Sequence, residues 1–311
     1  MNKLSVKIIM CTFNGEEYID EQLESIKNQS FTNWSLYIYD DLSTDNTINL
    51  IKFFKKNNPG IKINISINKN RLGFYNNFIN AIKTKTKQFD IILLSDQDDY
   101  WLPNKIERCI EHYDLPYKPF FYFSRRIICD QNLKKLWISP IKSQYPYSLN
   151  HCFFQNLAGG NTIAFNKIFF DYFNNHKIIH NHYVHDWELF TIANAIKDCK
   201  IVFDEDATIL YRQHASAAIG ANYFYKNFFS KLVKLFSYGY KNENSKRINF
   251  YLSNTFLYEK HTINFIENIK DYRDLSFIKK IFLINKLEFC KYRYNFIKRL
   301  LWAVLILVGY F

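Results

Sequence analysis

Three carboxylates close the run Ile91-Ile-Leu-Leu-Ser-Asp96-Gln-Asp98-Asp99, where a short apolar stretch runs directly into acid. In extended chain, side chains two apart share a face, so Asp96 and Asp98 are expected to point the same way. Two adjacent carboxylates repel unless a cation lies between them. Hard oxygen ligands suit Mn²⁺ or Mg²⁺, ions that also hold substrate phosphates. The segment therefore reads as the wall of a metal-and-diphosphate site, with a solvated acidic turn as the alternative. Its place at the end of an apolar strand favours the metal. Further on, His185-Asp186-Trp187 opens a stretch with Leu189, Ile192, Ala193 and Ile196 at helical spacing. Asp186 there is placed to be a helix cap. His176, His180, His182 and His185 cluster around it. A zinc site on His176 and His180 is disfavoured, because no H-E-x-x-H glutamate and no nearby cysteine accompany them.

The first half of the chain alternates strand and helix patterns that would position these groups. Val6–Cys11, Ser35–Tyr39, Ile61–Ile67 and Ile91–Leu94 read as strands. Helices are expected over Tyr18–Ile26, over 45–57, over 73–84 and over 104–113 after Pro103. Ser43 or Thr44 is expected to cap the second of these, with Asp45 in its first turn. Such alternation implies a largely parallel sheet with helices on both faces. Ligands then bind outside the carboxyl ends of the strands. Three polar clusters fall there: Thr12-Phe-Asn14-Gly-Glu-Glu17, Asp40-Asp41 and Asp96-Gln-Asp98-Asp99. No G-x-G-x-x-G or G-x-x-x-x-G-K-S/T occurs, which argues against a dinucleotide site or a P-loop.

The chain has 311 residues, 48% of them apolar, and carries a net charge of +12. That length fits one large domain, or a domain with an appendage. Six cysteines without a C-x-x-C pair point to reduced structural thiols and a cytosolic setting. The apolar stretch at the N-terminus is too short for a signal peptide. Charge is uneven, since residues 226–311 hold 16 Lys/Arg against 6 Asp/Glu while the first 225 hold 25 against 23. A basic, aromatic tail suggests an anionic lipid surface; nucleic acid is disfavoured for want of a reader motif. The last 12 residues, Leu300–Phe311, are uncharged and too few to span a bilayer. Beside Lys298 and Arg299 they suit an interfacial anchor, or a helix packed on the body or on a second copy in a homo-oligomer.

The combined motifs Cys-Thr12-Phe-Asn14-Gly-x-Glu17, Asp40-Asp41-x-Ser43-x-Asp45-x-Thr47 and Ser-Asp96-Gln-Asp98-Asp99-x-Trp101-x-Pro103-x-Lys105 resemble glycosyltransferase family 2 over about residues 4–215. With His185-Asp186-Trp187 and Tyr211-Arg212-Gln213-His214 the likeness is to its bacterial rhamnosyltransferase-like members, which build surface polysaccharide or lipopolysaccharide. The resemblance implies a GT-A fold, Rossmann-like, with a mostly parallel central sheet, helices on both faces and a helical C-terminal region. It implies a GT-A domain over 1–220, with a nucleotide-sugar-binding half at 1–115 and an acceptor-binding half at 116–220. Residues 221–311 form the C-terminal region.

Site roles follow from the same likeness. Thr12, Asn14, Glu17 and Asp40 would hold the nucleoside of a dTDP- or UDP-linked donor, Arg71 and Arg212 its diphosphate, and Asp96 the donor as well. Asp96, Asp98 and His214 would hold Mn²⁺ or Mg²⁺. Gly159, Gly160, Asn161, His185 and Trp187 would face a glycan or lipid-linked glycan acceptor. Asp186 would be the catalytic base of an inverting transfer, at the inner face of the cytoplasmic membrane. A sugar nucleotidyltransferase would need a Gly-rich strand turn bearing Arg. A processive synthase would need Q-x-x-R-W and membrane spans. A non-catalytic nucleotide-sugar-binding scaffold is the alternative of a different class.

Overall fold

The computed structural model describes residues 4–84, 89–140, 152, 155–175, 178–180, 182, 184–214, 246 and 248–257, and positions 263, 267 and 279. The expected anchor at Leu300–Phe311, most of the basic tail, and His176 lie outside the described residues. The chain divides into two compact units. The first comprises Met1–Gln144, Ala158–His176 and Asp198–Ala221; the second comprises Tyr145–Leu157, Lys177–Lys197 and Asn222–Phe311.

The first unit is built on one sheet. Its strands are β1 (Val6–Thr12), β2 (Trp34–Asp40), β3 (Ile63–Ile67), β4 (Ile91–Ser95), β5 (Tyr100–Trp101), β6 (Phe120–Cys129), β7 (Lys135–Ile138), β8 (Ala164–Asn166) and β9 (Lys200–Arg212). They run in the order β3-β2-β1-β4-β8-β6-β9-β5, with β7 on β6. β3, β2, β1 and β4 are mutually parallel, as the sequence alternation demands. β8 is antiparallel to both β4 and β6, and β6 then runs parallel to β9. Helices α1 (Ile19–Lys27), α2 (Thr47–Asn57), α3 (Phe74–Lys83), α4 (Lys105–Glu111) and α5 (Lys167–Asn175) fill the connections.

Every residue of β1 and of β4 is buried, so both faces of the central strands are covered. Val6, Ile8 and Met10 join Ile19, Leu23 and Ile26 of α1 and Leu36, Ile38, Ile91 and Leu93 in one core. Each such side chain contributes roughly 1.5–3 kcal/mol of burial. The core thus fixes the carboxyl ends of β1, β2 and β4 as neighbours.

Two local expectations change. α2 starts at Thr47, and neither Ser43 nor Thr44 caps it. The Ser43 hydroxyl instead donates to Asp40 and accepts from Asn14 N–H. Asp45, ahead of the helix, accepts the Thr47 N–H at 3.0 Å. The strand expected from Ile61 begins at Ile63. In the second unit, α6 spans His185–Ala195. Among the described residues no helix is long and apolar enough to cross a membrane, and the five described cysteines are free thiols.

Candidate active site

The sheet order places a switch point between β1 and β4. From β1 the chain moves through β2 to β3 on one side, then returns to lay β4 on the other. Loops leaving neighbouring strands in opposite directions open a crevice at their carboxyl ends. Register aligns Thr12 with Asp40 and Met10 with Ser95, so all three polar clusters meet there.

Short side chains tie these loops together. Asp40, fully buried, accepts from Thr12 Oγ1 at 2.8 Å, Ser43 Oγ at 2.6 Å and Ser43 N–H at 2.8 Å. A carboxylate has about four acceptor sites, and these donors take three of them. Asn14 takes a left-handed turn, φ 44°, which asparagine tolerates well, and accepts the Thr44 N–H at 2.9 Å. Gly15 N–H donates to Thr47 Oγ1 at 2.7 Å. The Gln97 amide crosses the crevice, accepting from Phe13 N–H at 2.8 Å and donating to Phe13 C=O at 3.0 Å. A Cβ at Gly15 would collide with that amide. Glu17 is exposed. Arg71, also exposed, stacks its guanidinium 3.6 Å above the Phe13 ring. Its loop is held by Asp41, which accepts from Leu72 N–H and Gly73 N–H at 2.7 and 2.8 Å.

Asp98 and His214 come together as expected for metal ligands. Their Oδ2 and Nε2 atoms lie 3.0 Å apart, a separation that two adjacent ligands at about 2.1 Å from one ion also have. Donor phosphates customarily complete such a sparse protein shell, so the pair fits Mn²⁺ or Mg²⁺. Asp96 is not brought into this pair, since among the described residues no three His, Cys, Asp or Glu side chains form a metal-holding group. The physical reason is that β4 ends at Ser95 and the next residues bend, which removes the two-residue alternation.

Arg212 is a brace. Its Nε donates to Asp98 C=O at 2.9 Å, its terminal nitrogens reach Gln131 C=O and Glu21, and its guanidinium lies 4.4 Å over the Tyr18 ring. The expectation of a phosphate ligand is thereby corrected: these donors are engaged by protein in a side chain almost wholly buried. Tyr18, unassigned by sequence, also packs on His214 at 4.7 Å between ring centroids.

Asp99 turns away from solvent entirely. It accepts from Asn161 Nδ2 at 2.6 Å and Arg212 N–H at 3.3 Å, and burial together with the Asp98 charge pushes its pKa up to about 7. Buried Lys105 donates to Asn161 C=O at 3.0 Å, and burial brings its pKa down to about 8. Arg126 of β6, stacked 4.5 Å from the Tyr211 ring, lies 3.5 Å from Asn161 Oδ1. A Cβ at Gly159 would fall 2.6 Å from its guanidinium, so a larger residue there would have to displace the end of the Arg126 side chain. Gly159, Gly160 and Asn161 thus form a turn fastened from three sides, with Asn161 itself largely engaged. Sequence reasoning missed Arg126, because nothing marks one arginine within an aromatic strand.

In the second unit, Val184 occupies the capping position of α6, so Asp186 is not the N-cap. Asp186 is half-buried in the first turn and its Oδ1 accepts the Trp187 N–H at 2.7 Å. The Trp187 indole N–H donates to Cys152 C=O. His185 is buried, and desolvation lowers its pKa to about 3, so it is neutral.

A parallel switch-point sheet with polar loops clustered at the carboxyl ends of its strands is a frame that nucleotide-binding enzymes share. The glycosyl transferase family 2 model matches residues 7–178, and the chain belongs to that family. It is similar to the dTDP-rhamnosyl transferase RfbG of Shigella flexneri, 32% identical over 268 residues, covering 84% of this chain and 90% of that one. It also resembles the UDP-Glc:alpha-D-GlcNAc-diphosphoundecaprenol beta-1,3-glucosyltransferase WfgD of Escherichia coli, 29% identical over 152 residues, 49% of this chain and 58% of that one. Among solved structures, S. aureus TarS 1-349 in complex with UDP-GlcNAc aligns over 99% of this chain and 89% of that chain. Its TM-score is 0.56 at 16% identity. The GT-A architecture is shared, and the protein is a glycosyltransferase acting on a nucleotide sugar.

Proposed function

We propose that the protein is an inverting, metal-dependent glycosyltransferase that moves rhamnose from dTDP-rhamnose to a hydroxyl of a surface-polysaccharide or lipopolysaccharide glycan. The observation carrying the donor choice is the 32% identity to a dTDP-rhamnosyl transferase across 84% of the chain; a UDP-sugar is the competing donor. Thr12, Asn14, Glu17 and Asp40 line the nucleoside end, Arg71 leaves the Phe13 ring for the diphosphate, and Asp96 contacts the donor. Asp98 and His214 hold Mn²⁺ or Mg²⁺, which when bound offsets charge on the leaving diphosphate. Gly159, Gly160, Asn161, His185 and Trp187 are the residues assigned to the acceptor.

Asp186 takes the proton of the acceptor hydroxyl, a weak nucleophile until that proton leaves. The oxygen then attacks the anomeric carbon opposite the nucleotide, the bond to the diphosphate breaks, and configuration inverts. The basic tail supports a peripheral place on anionic membrane, where a lipid-linked glycan is at hand. The test pairs two variants with dTDP-rhamnose and Mn²⁺. Asp186→Asn should bind dTDP as the wild type does while turnover falls about 10²–10⁴-fold. Asp98→Ala should lose the Mn²⁺-dependent part of dTDP binding. Normal turnover by Asp186→Asn removes it from the mechanism, and metal-independent binding by the wild type removes the ion.

A further inference from the structure

Glu188 has no exposed surface, yet it is a carboxylate four positions into α6. Burying such a group is unfavourable by several kcal/mol unless hydrogen bonds and an opposite charge compensate it. Its hydrogen-bonding partners come from the segment just before the helix. His180 Nδ1, itself almost fully buried, meets Glu188 Oε1, and His182 N–H approaches Oε2 at 3.4 Å. His182 then accepts the Val184 N–H on its own Nδ1 at 3.3 Å. The His182 ring sits 5.7 Å from Trp187 and 5.6 Å from Phe250 between centroids. Ile179 is held on both backbone groups by Asn254, at 2.8 and 3.0 Å.

The usual fastening of a helix start is a Ser, Thr, Asp or Asn at the cap, and α6 has none. Its place is taken by a residue inside the helix reaching back over the entering chain, in the manner of the glutamate of a capping box. Asp186 stands in that same first turn, two residues before Glu188. Its direction is therefore set by whatever holds the turn. Glu188 is inaccessible and cannot touch a substrate, so any influence on transfer passes through position.

We propose that Glu188, acting through His180 and His182, is a positioning residue for Asp186; the inference rests on Asp186 being the base. Displacement of a reacting group by about 1 Å can lower a rate 10²-fold, so loosening the first turn should register in turnover. In the full-length protein with dTDP-rhamnose and Mn²⁺, Glu188→Ala should reduce kcat at least about tenfold with donor KM within about twofold. Hydrogen exchange across 184–190 should quicken at the same time. Glu188→Gln keeps an acceptor for the His182 N–H and should restore most of both. His180→Ala should weaken both, and adding it to Glu188→Ala should cost little more, because the two act as one unit. Wild-type kcat and exchange in folded Glu188→Ala would overturn the proposal, as would a loss carried only by donor KM. Asp186→Asn run in parallel separates the two readings. If it turns over normally the base assignment fails, while exchange in Glu188→Ala still decides whether Glu188 holds the turn.

Discussion

The strand-end loops and the start of α6 both present carboxylates proposed to act in transfer, but they are secured in different ways. Around Thr12, Asn14, Asp40 and Ser43 short side chains each make one to three bonds to neighbouring loop groups, with Thr12 and Asp40 buried and Asn14 and Ser43 open to solvent. Around the start of α6 the partners are fewer: the buried Glu188 side chain meets His180 and the His182 N–H, and the buried Asn254 side chain holds Ile179 and Phe250. Water can replace a lost bond at Asn14 and Ser43 and cannot at Glu188, which has no exposed surface. The difference predicts gradual, divisible responses at the nucleotide end and abrupt ones at α6.

Asn254→Ala should give the largest effect. It removes a fully buried side-chain amide that holds Ile179 N–H, Ile179 C=O and Phe250 C=O, which should remove about 2–4 kcal/mol of stability, read as a lower urea midpoint. Next comes Lys7→Met, which contrasts one buried charge with another. Among the described residues Lys7 Nζ, unlike Glu188, has no hydrogen-bond acceptor, and it rests over Tyr37 and Phe89, at 4.8 and 5.7 Å. Burial lowers its pKa to about 8, below the ordinary 10.5. The folded state therefore binds fewer protons than the unfolded one, and the penalty is full below pH 8 and fades toward 10.5. Lys7→Met should stabilise by about 2–3 kcal/mol at pH 7, with the gain shrinking above pH 8 in urea melts at stepped pH.

Gln97→Ala releases Phe13 on both backbone groups where water has access. A loss near 1 kcal/mol and severalfold weaker dTDP binding by calorimetry are expected. Ser43→Ala should be mildest, below about 1 kcal/mol, because Asp40 keeps Thr12. Equal effects from Asn254→Ala and Gln97→Ala would abolish the contrast. A twofold or smaller spread across the Thr12–Ser43 set would sharpen it.

Periodicity made β1, β2, β4, α1 and α6 legible, because apolar spacing and burial follow one rule. It misled at Asp96, where alternation was extended past the end of β4. It misled at Ser43 and Thr44, where a generic capping signal was answered by Asp40 instead. Arg212 read as a phosphate ligand because its motif lies beside His214; its partners Glu21 and Gln131 are remote in sequence. Glu188 was illegible for the same reason, since a glutamate in a helix is ordinarily solvated and only His180 and burial reveal otherwise.

Gly15 has an ordinary backbone conformation, so space alone bars a side chain there, and the barrier is the Gln97 amide. Positions 15 and 97, more than eighty residues apart, are therefore inherited as a single choice. A drifting sequence can enlarge the first only after shrinking the second. Gly15→Ala should be damaging alone and tolerated in Gln97→Ser, a reversal of sign that neither substitution foretells by itself.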